Sequence, residues 1–133
     1  MKLFVNKKIE VRDSKMSGRG VFANEDIRSG EVLEECHHII LSNKFNLQDP
    51  VLKEYIFSWP KGSYGGANAS SVVLGMGSIF NHREENNADW VTDEVRNLYS
   101  FHAIKDIKKD IWTRLKTMCD LSSTLKCINR FWA

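Results

Sequence analysis

The sequence is poor in cysteine and in long apolar runs, and neither sign of charge predominates. Its three cysteines are Cys36, Cys119 and Cys127, and the closest two are eight residues apart. Zinc sites built by a single chain normally contain cysteine pairs with a closer spacing than this, so we expect no metal site of this kind. The odd cysteine count, and a charged opening segment Met1–Lys8 that does not resemble a secretion signal, predict a reducing intracellular environment.

No apolar run is longer than Ile39–Leu41, whereas a membrane-spanning helix needs roughly 20 apolar residues. The charges are interspersed, with 19 Lys and Arg against 17 Asp and Glu. Because nucleic-acid-binding proteins usually present a basic face, we expect neither a membrane nor a direct nucleic-acid partner. The 133 residues, 42% of them apolar, are typical of one globular domain with a single core.

Short segments of alternating apolar residues, separated by turn-forming residues, predict a mainly β fold with short helices. The segments predicted as strands are Phe4–Val11, Val21–Ala23, Glu31–Cys36, His37–Leu41, Val72–Leu74, Trp90–Val95 and Leu98–Ala103. In the last of these, Tyr99, Phe101 and Ala103 are expected to share one face.

A short helix is predicted after Asp49, which suits the N-cap, with Pro50 at the first helical position. Its apolar residues Leu52, Tyr55 and Ile56 are expected to share a face. The sequence also predicts a helical turn at Met76–Phe80 and a polar loop at Arg83–Asn87. From about Trp112 the pattern changes, because apolar residues then follow helical spacing. These residues are Ile111, Leu115, Met118, Cys119, Leu121, Leu125 and Ile128.

The string Ser17-Gly18-Arg19-Gly20 is the first candidate for a binding site. Two glycines around one residue allow a positive φ and let a ligand approach main-chain N–H and C=O groups. An ordinary hairpin turn is the alternative. The segment does not resemble a dinucleotide-binding loop, because no third glycine follows at the required spacing and no helix is predicted to begin there.

The string Gly75-Met76-Gly77-Ser78-Ile79-Phe80-Asn81-His82 is the second candidate. Adjacent Asn and His side chains offer donors and acceptors that could bracket an adenosine and an ammonium group. The alternative for His82 is a hydrogen-bonded structural histidine. The other histidines stand at spacings that match no standard metal site.

Taken in order, these motifs resemble the SET domain of protein lysine methyltransferases. The resemblance runs from about Lys8 to Ile107, and it looks closest to the small stand-alone members found in large DNA viruses. Its elements are Gly18-Arg19-Gly20-Val21-Phe22-Ala23, Ile27, Gly30-Glu31, Glu34-Glu35, Asn81-His82, the downstream Asn87, and Phe101-x-Ala103-x-x-x-Ile107.

The resemblance implies the SET-domain β-clip fold, in which small sheets surround a C-terminal pseudoknot. The domain is expected to span residues 4–118, followed by an atypical, helix-like tail over residues 119–133. The implied activity is S-adenosylmethionine-dependent methylation of lysine in proteins, with histone tails and chromatin as the expected target. Such an enzyme would act in the nucleus, or in a host nucleus, and otherwise in the cytoplasm.

The resemblance also implies roles for individual residues. Tyr55 is expected to line the channel for the target lysine. The residues expected to bind the cofactor are Lys15, Met16, Ser17, Gly18, Arg19, Gly20, Asn81 and His82. The cysteines of the zinc-bound segment that completes the lysine channel in many members are lacking, so the tail or a second copy of the chain could close that side. A homodimer is therefore an open alternative.

The sequence departs from the family pattern near its end. Asp110-Ile111-Trp112 stands where the family has Gly-Glu-Glu, and Thr117-Met118 stands where a tyrosine and a glycine are expected. Three explanations are open. The tail could reflect an altered reading frame or a truncated product, Trp112 or another ring could substitute for the tyrosine, or the chain could bind cofactor or peptide without turnover. A structural β-protein, in which the glycines only form turns, is a further alternative.

Overall fold

Ten short strands form most of the structure, a computed structural model that describes residues 2–14, 18–42, 49–60 and 69–116. In chain order, strands β1 to β10 are Ile9–Ser14, Gly18–Ala23, Val32–Cys36, His38–Ile40, Ile56–Trp59, Ala69–Val73, Asn81–Arg83, Ala88–Asp93, Leu98–Ala103 and Arg114–Lys116. Two single 3₁₀ turns, at Leu52–Tyr55 and Gly75–Ser78, are the helical elements of this part of the chain. No helix among these residues is long and apolar enough to span a membrane.

The strands form four small sheets, which confirms the predicted mainly β fold. An antiparallel hairpin joins β1 to β2, and two three-stranded sheets have the orders β3-β9-β8 and β4-β6-β5. The fourth sheet is a parallel pair of β7 and β10, which are separated by about thirty residues of chain. Parallel strands need a long connection, and here β8 and β9 lie within that connection.

The core lies between the two three-stranded sheets and is rich in aromatic rings. Tyr99, Phe101 and Ala103 are all buried on one face of β9, as the alternation predicts. The Phe57 ring from β5 lies 5.7 Å from Tyr99 and 6.0 Å from Phe101, centroid to centroid, in edge-to-face contacts. Such aromatic pairs add to the free energy gained from burying their apolar surface, so this cluster fixes the two sheets against each other.

The segment after β9 ends in a strand, and the helical spacing predicted from Ile111 onward is therefore wrong in the described part. Ile107 exchanges two hydrogen bonds with Ile27, and the Thr113 N–H donates to the Val21 carbonyl at 2.9 Å. The chain then pairs with β7, and both Thr113 and Leu115 are buried. In an extended chain these two residues share a face. Main-chain hydrogen bonds to β2 and β7 stabilise the extended form over the helical one.

The predicted helix after Asp49 is only the 3₁₀ turn Leu52–Tyr55, and its N-cap is Val51 rather than Asp49. The Asp49 carboxylate accepts the N–H groups of Val51 and Leu52 at 2.8 and 3.1 Å, so it stabilises the approach to the turn, outside it. Pro50 likewise precedes the turn. No residue of the turn is buried. Ile56, which was predicted to share a face with Leu52 and Tyr55, lies instead in β5 opposite Val72.

Two further segment predictions need correction. The strand predicted at Phe4–Val11 begins only at Ile9, because the Asn6 side chain accepts the Lys8 N–H and turns the chain there. Before that turn, Val5 makes a single β-bridge with Glu34. The loop predicted at Arg83–Asn87 is also partly wrong, since Arg83 is the last residue of β7.

Candidate functional site

A cleft of about 360 Å³ lies between the β1–β2 hairpin, the Leu52–Tyr55 turn and the start of β7. Its walls are Gly18, Arg19, Glu54, Tyr55, Phe57, Ser78, Ile79, Phe80, Asn81 and His82. Five of the residues predicted from the sequence are thus brought to one cavity: Gly18, Arg19, Tyr55, Asn81 and His82. Gly20 is buried beside it, whereas Lys15, Met16 and Ser17 lie outside the described residues.

Gly20 packs closely against the side chain of Asn81. A Cβ atom added to Gly20 would overlap the Asn81 side-chain nitrogen, and it would also lie 3.5 Å from Nε1 of Trp112. A side chain larger than hydrogen therefore cannot occupy position 20 unless Asn81 moves. The second glycine of the Gly-x-Gly string is required by the packing of Asn81 against β2, which the hairpin-turn interpretation alone does not explain.

The Asn81-His82 pair is held by the C-terminal segment. In the parallel β7–β10 register, Asn81 lies opposite Arg114 and His82 lies opposite Leu115. The buried Asn87 fixes this arrangement, because its side chain donates to the Trp112 carbonyl at 2.6 Å and accepts the Arg114 N–H at 2.6 Å. A buried amide with donor and acceptor both satisfied is a rigid contact, so Asn87 supports the wall from behind.

Tyr55 lines the cleft from the Leu52–Tyr55 turn and is 37% exposed. The buried Phe57 ring also lines the cleft, with its centroid 6.4 Å from that of the His82 ring. Among the described residues, Glu54 is the acidic side chain that lines the cavity. Sequence reasoning assigned no role to Glu54 or Phe57. Phe57 follows Tyr55 by two residues and so extends toward the same cavity, but no sequence signal marks Glu54.

Ser78, Ile79 and Phe80 also line the cleft, although no individual role was predicted for them. They belong to the same glycine-containing string as Asn81 and His82, so their chain position is the signal that places them. Phe80 is 2% exposed and stacks on Phe101 at 5.1 Å between centroids. The cleft wall therefore continues directly into the aromatic core.

Trp112 is not one of the residues that line the cleft. Its ring packs edge-on against Phe22 at 5.8 Å, and the Arg83 guanidinium carbon lies 5.5 Å from its centroid. It borders a separate cavity of about 350 Å³ with Arg83, Glu84, Glu85 and Arg114. The hypothesis that Trp112 supplies the missing aromatic ring therefore finds no support in its position.

Asp110, at the position where the family pattern has glycine, has a φ of +71°. Aspartate is one of the few side chains that tolerate this left-handed conformation. Its carboxylate also accepts a charge-assisted bond from Arg12 at 2.8 Å. The main chain therefore keeps a glycine-like turn at this point although the residue has changed.

Tyr99, the last tyrosine of the chain, does not line the cleft. Its hydroxyl donates to the Ser58 carbonyl at 2.6 Å, and burial raises the pKa of this phenol above its ordinary value. Thr117 and Met118 lie outside the described residues. Among the residues that the structure does describe, no cluster of three or more His, Cys, Asp or Glu side chains could hold a metal ion.

Comparison with known proteins gives one consistent result. A family model for the SET domain matches residues 18–110. A Schizosaccharomyces pombe protein named histone-lysine N-methyltransferase, H3 lysine-37 specific, is 33% identical over 107 residues, which cover 78% of this chain and 69% of that protein.

Solved structures give the same fold. A Plasmodium falciparum histone methyltransferase superposes with a TM-score of 0.70 at 25% identity, over 90% of this chain and all of that one. The methyltransferase domain of human PR domain-containing protein 2 superposes with a TM-score of 0.63 at 13% identity, over 87% of this chain and 81% of that one. At the latter identity the likeness concerns the fold alone.

Proposed function

The chain belongs to the SET-domain family, and we propose that it transfers methyl groups from S-adenosylmethionine to lysine side chains of histone tails. The family match and a relative named for activity on histone H3 support this proposal. An enzyme of this kind would act where histones are, so we propose nuclear action.

The observation that carries the proposal is the composition of the cleft. The Gly18–Gly20 edge and the Asn81-His82 pair are 61 or more residues apart in sequence and form adjoining parts of one wall. Tyr55 lines the same cavity from the Leu52–Tyr55 turn. A cavity with a few polar groups among aromatic and aliphatic ones is typical of a site for a small molecule.

The residues of the first wall suit the proposed cofactor. The lack of a Cβ at Gly20 keeps the hairpin edge close to Asn81. Gly18 presents an open main chain, because a Cβ added there would have no described atom within 4 Å. We propose that this edge and Arg19 hold the amino-acid part of the cofactor and that Asn81 and His82 hold the adenosine. When bound, S-adenosylmethionine would supply an electrophilic methyl group on a sulfonium.

The residues of the second wall suit a lysine side chain. Tyr55 and Phe57 would flank its apolar stem, and the faces of aromatic rings attract the cationic end. Glu54 at the same wall would favour approach of the ammonium form. The amine must lose its proton and point along the line of transfer before it can react, so this wall has to orient the amine and exclude water.

The competing function is a module that binds cofactor or peptide and does not turn over. The feature in its favour is that the sequence after Lys116 contains no tyrosine, so none of those residues could place a hydroxyl-bearing ring beside the amine. The wall built from Gly20, Asn81 and His82 serves both functions, so cofactor binding alone does not distinguish them. The two functions differ in methyl transfer to a lysine.

The first experiment is calorimetric titration with S-adenosylhomocysteine, followed by transfer of labelled methyl groups to peptides that cover the histone H3 tail. We expect binding and lysine-dependent transfer, and both should be lost in Asn81→Ala. Asn86→Ala is the matched control, because Asn86 is also half-buried but its side chain bonds the Ala88 carbonyl outside the cleft. The loss in Asn81→Ala should exceed about tenfold in affinity, or roughly 1.4 kcal/mol.

Three other outcomes are informative. Binding of S-adenosylhomocysteine without methyl transfer to any lysine peptide would favour the module that binds and does not turn over. Equal effects of Asn81→Ala and Asn86→Ala would mean that the substitutions act through stability. If the folded wild-type chain gave no heat with S-adenosylhomocysteine, both functions would fail, and a structural β-protein would remain.

A further inference from the structure

Glu34 is a buried acid that the proposed reaction does not use. It lies in β3, its residue surface is 5% exposed, and its Oε1 atom accepts the N–H of Met76 at 3.2 Å. The Gly77 N–H lies close enough to this carboxyl group to lower its pKa. Both N–H groups belong to the 3₁₀ turn Gly75–Ser78, which leads directly into the cleft residues Ser78 to His82.

The local shape of β3 explains why an acid is buried there. The register with β9 shifts between Val32 and Glu34, and such a bulge redirects the side chains that follow it. Glu34 and Cys36 then share the face that meets the turn, since they are two residues apart on one strand. The Cys36 thiol lies close to the carboxyl group and lowers its pKa.

The turn approaches this carboxylate most closely at Gly75. A Cβ at Gly75 would lie 2.6 Å from Glu34 Oε1 and 3.7 Å from the Cys36 sulfur. The residue also has a φ of +84°, which side chains rarely adopt. The first glycine of the Gly-Met-Gly string is thus explained by contact with Glu34, and not by contact with a ligand in the cleft.

The other end of the turn is fixed separately. The Ser78 hydroxyl donates to the Val73 carbonyl, and the Ile79 N–H donates to the Met76 carbonyl at 2.8 Å. Phe80 is then held by its stacking on Phe101. Glu34 is therefore the side-chain anchor at the beginning of a short chain of contacts that ends at Asn81.

We propose that Glu34 is a positioning residue, which sets the Gly75–Ser78 turn and through it the place of Asn81 and His82 in the cleft. The consequence for cofactor affinity rests on the proposed function, whereas the consequence for the turn itself does not. The hydrogen bond of Glu34 goes to Met76, in the turn that leads to Asn81, so its effect should be on binding at the Asn81 side and not on the lysine side.

Glu35 offers a matched control on the same strand. It is 9% exposed, and its carboxylate accepts the Phe4 N–H at 3.0 Å and pairs with Arg96 at 2.5 Å. Its partners lie on the opposite face of β3 from the turn. Removing it should cost stability, as removal of a hydrogen-bonded buried acid does, without disturbing Met76 or Gly77.

The test compares Glu34→Ala, Glu34→Gln and Glu35→Ala by amide hydrogen exchange and by titration with S-adenosylhomocysteine. In Glu34→Ala we expect faster exchange at Met76 and Gly77 and an affinity loss of about tenfold. Glu34→Gln keeps an acceptor oxygen and should restore slow exchange and most of the affinity. Glu35→Ala should lower Tm and change neither readout.

If Glu34→Ala does not fold, Glu34→Asp replaces it, because a side chain one methylene shorter should lose the Met76 bond. Unchanged exchange at Met76 and Gly77 in a folded Glu34→Ala or Glu34→Asp protein would overturn the proposal, as would equal affinity losses in the Glu34 and Glu35 variants. If the wild-type chain binds no cofactor, the proposed function fails, and the exchange readout still decides whether Glu34 sets the turn.

Discussion

The two walls of the cleft are built in different ways. The wall with Gly20, Asn81 and His82 is closely packed and is supported by the buried Asn87 and by strand β10. The wall with Tyr55 is a single 3₁₀ turn that has no buried residue. Because buried, hydrogen-bonded segments open less readily than exposed turns, the first wall suits an invariant ligand. The second can change its side chains at little cost to the fold, which suits recognition of a substrate.

The substitution Gly20→Ala should break the first wall and give the largest effect. The new methyl group overlaps the Asn81 side chain, and overpacking of this kind typically costs about 1–3 kcal/mol. Urea denaturation should show this loss, and titration with S-adenosylhomocysteine should show little or no binding.

Gly30→Ala is the control for that prediction. Gly30 has a φ of +91°, so alanine is strained there, but its Cβ would meet nothing within 4 Å, and Gly30 does not line the cleft. It should cost about 1 kcal/mol through backbone strain and leave Asn81 in place. A Gly20→Ala protein as stable and as competent in binding as Gly30→Ala would contradict the close-packed description of this wall.

The sequence predicted the parts of this wall that depend on local pattern. Alternation on β9 correctly placed Tyr99 and Phe101 in the core. The Gly18-Arg19-Gly20 string, for which a hairpin turn was the alternative, forms the beginning of strand β2. The sequence could not show why Gly20 must be glycine, because that requirement comes from Asn81, 61 residues further along the chain.

The parallel β7–β10 pair was not predicted, because it depends on contacts between residues that are far apart in the sequence. Ile111 and Leu115 are four residues apart, which fits a helix, but in an extended chain Thr113 lies between them and shares a face with both. Hydrogen bonds from Thr113 to the Val21 carbonyl select the extended form. The roles of the site residues remain predictions, and the residues before Gly18 that belong to that set lie outside the described part.

A change of pH should affect the first wall through Glu34. Burial raises the pKa of its carboxyl group above the ordinary 4.5, so the folded state binds the proton more tightly than the unfolded state. As pH rises through about 4.5 the unfolded chain ionises first, and this contribution to the free energy of unfolding is lost progressively until pH passes the raised pKa.

Glu34→Gln should remove that dependence, since glutamine does not titrate. The Tm of wild type relative to Glu34→Gln should therefore fall as pH increases above 4.5 and passes through the raised pKa of Glu34. Thermal melts of both proteins in matched buffers measure the difference. A wild-type protein that instead gains Tm relative to Glu34→Gln over this range would show that hydrogen bonds, and not burial, dominate at Glu34.

Tyr55→Ala should have the smallest effect on stability, because the side chain is 37% exposed on a turn with no buried residue. Such surface substitutions usually change the free energy of unfolding by less than about 0.5 kcal/mol. If Tyr55 orients the target lysine, kcat/KM for a histone peptide should nevertheless fall by about tenfold or more, which is a loss of transition-state stabilisation. Affinity for S-adenosylhomocysteine should stay unchanged, since we propose that this ligand binds at the other wall. Leu52→Ala is the control, because Leu52 is 42% exposed on the same turn and does not line the cleft. Equal losses of kcat/KM in the two variants would assign the effect to the turn and remove Tyr55 from the lysine channel.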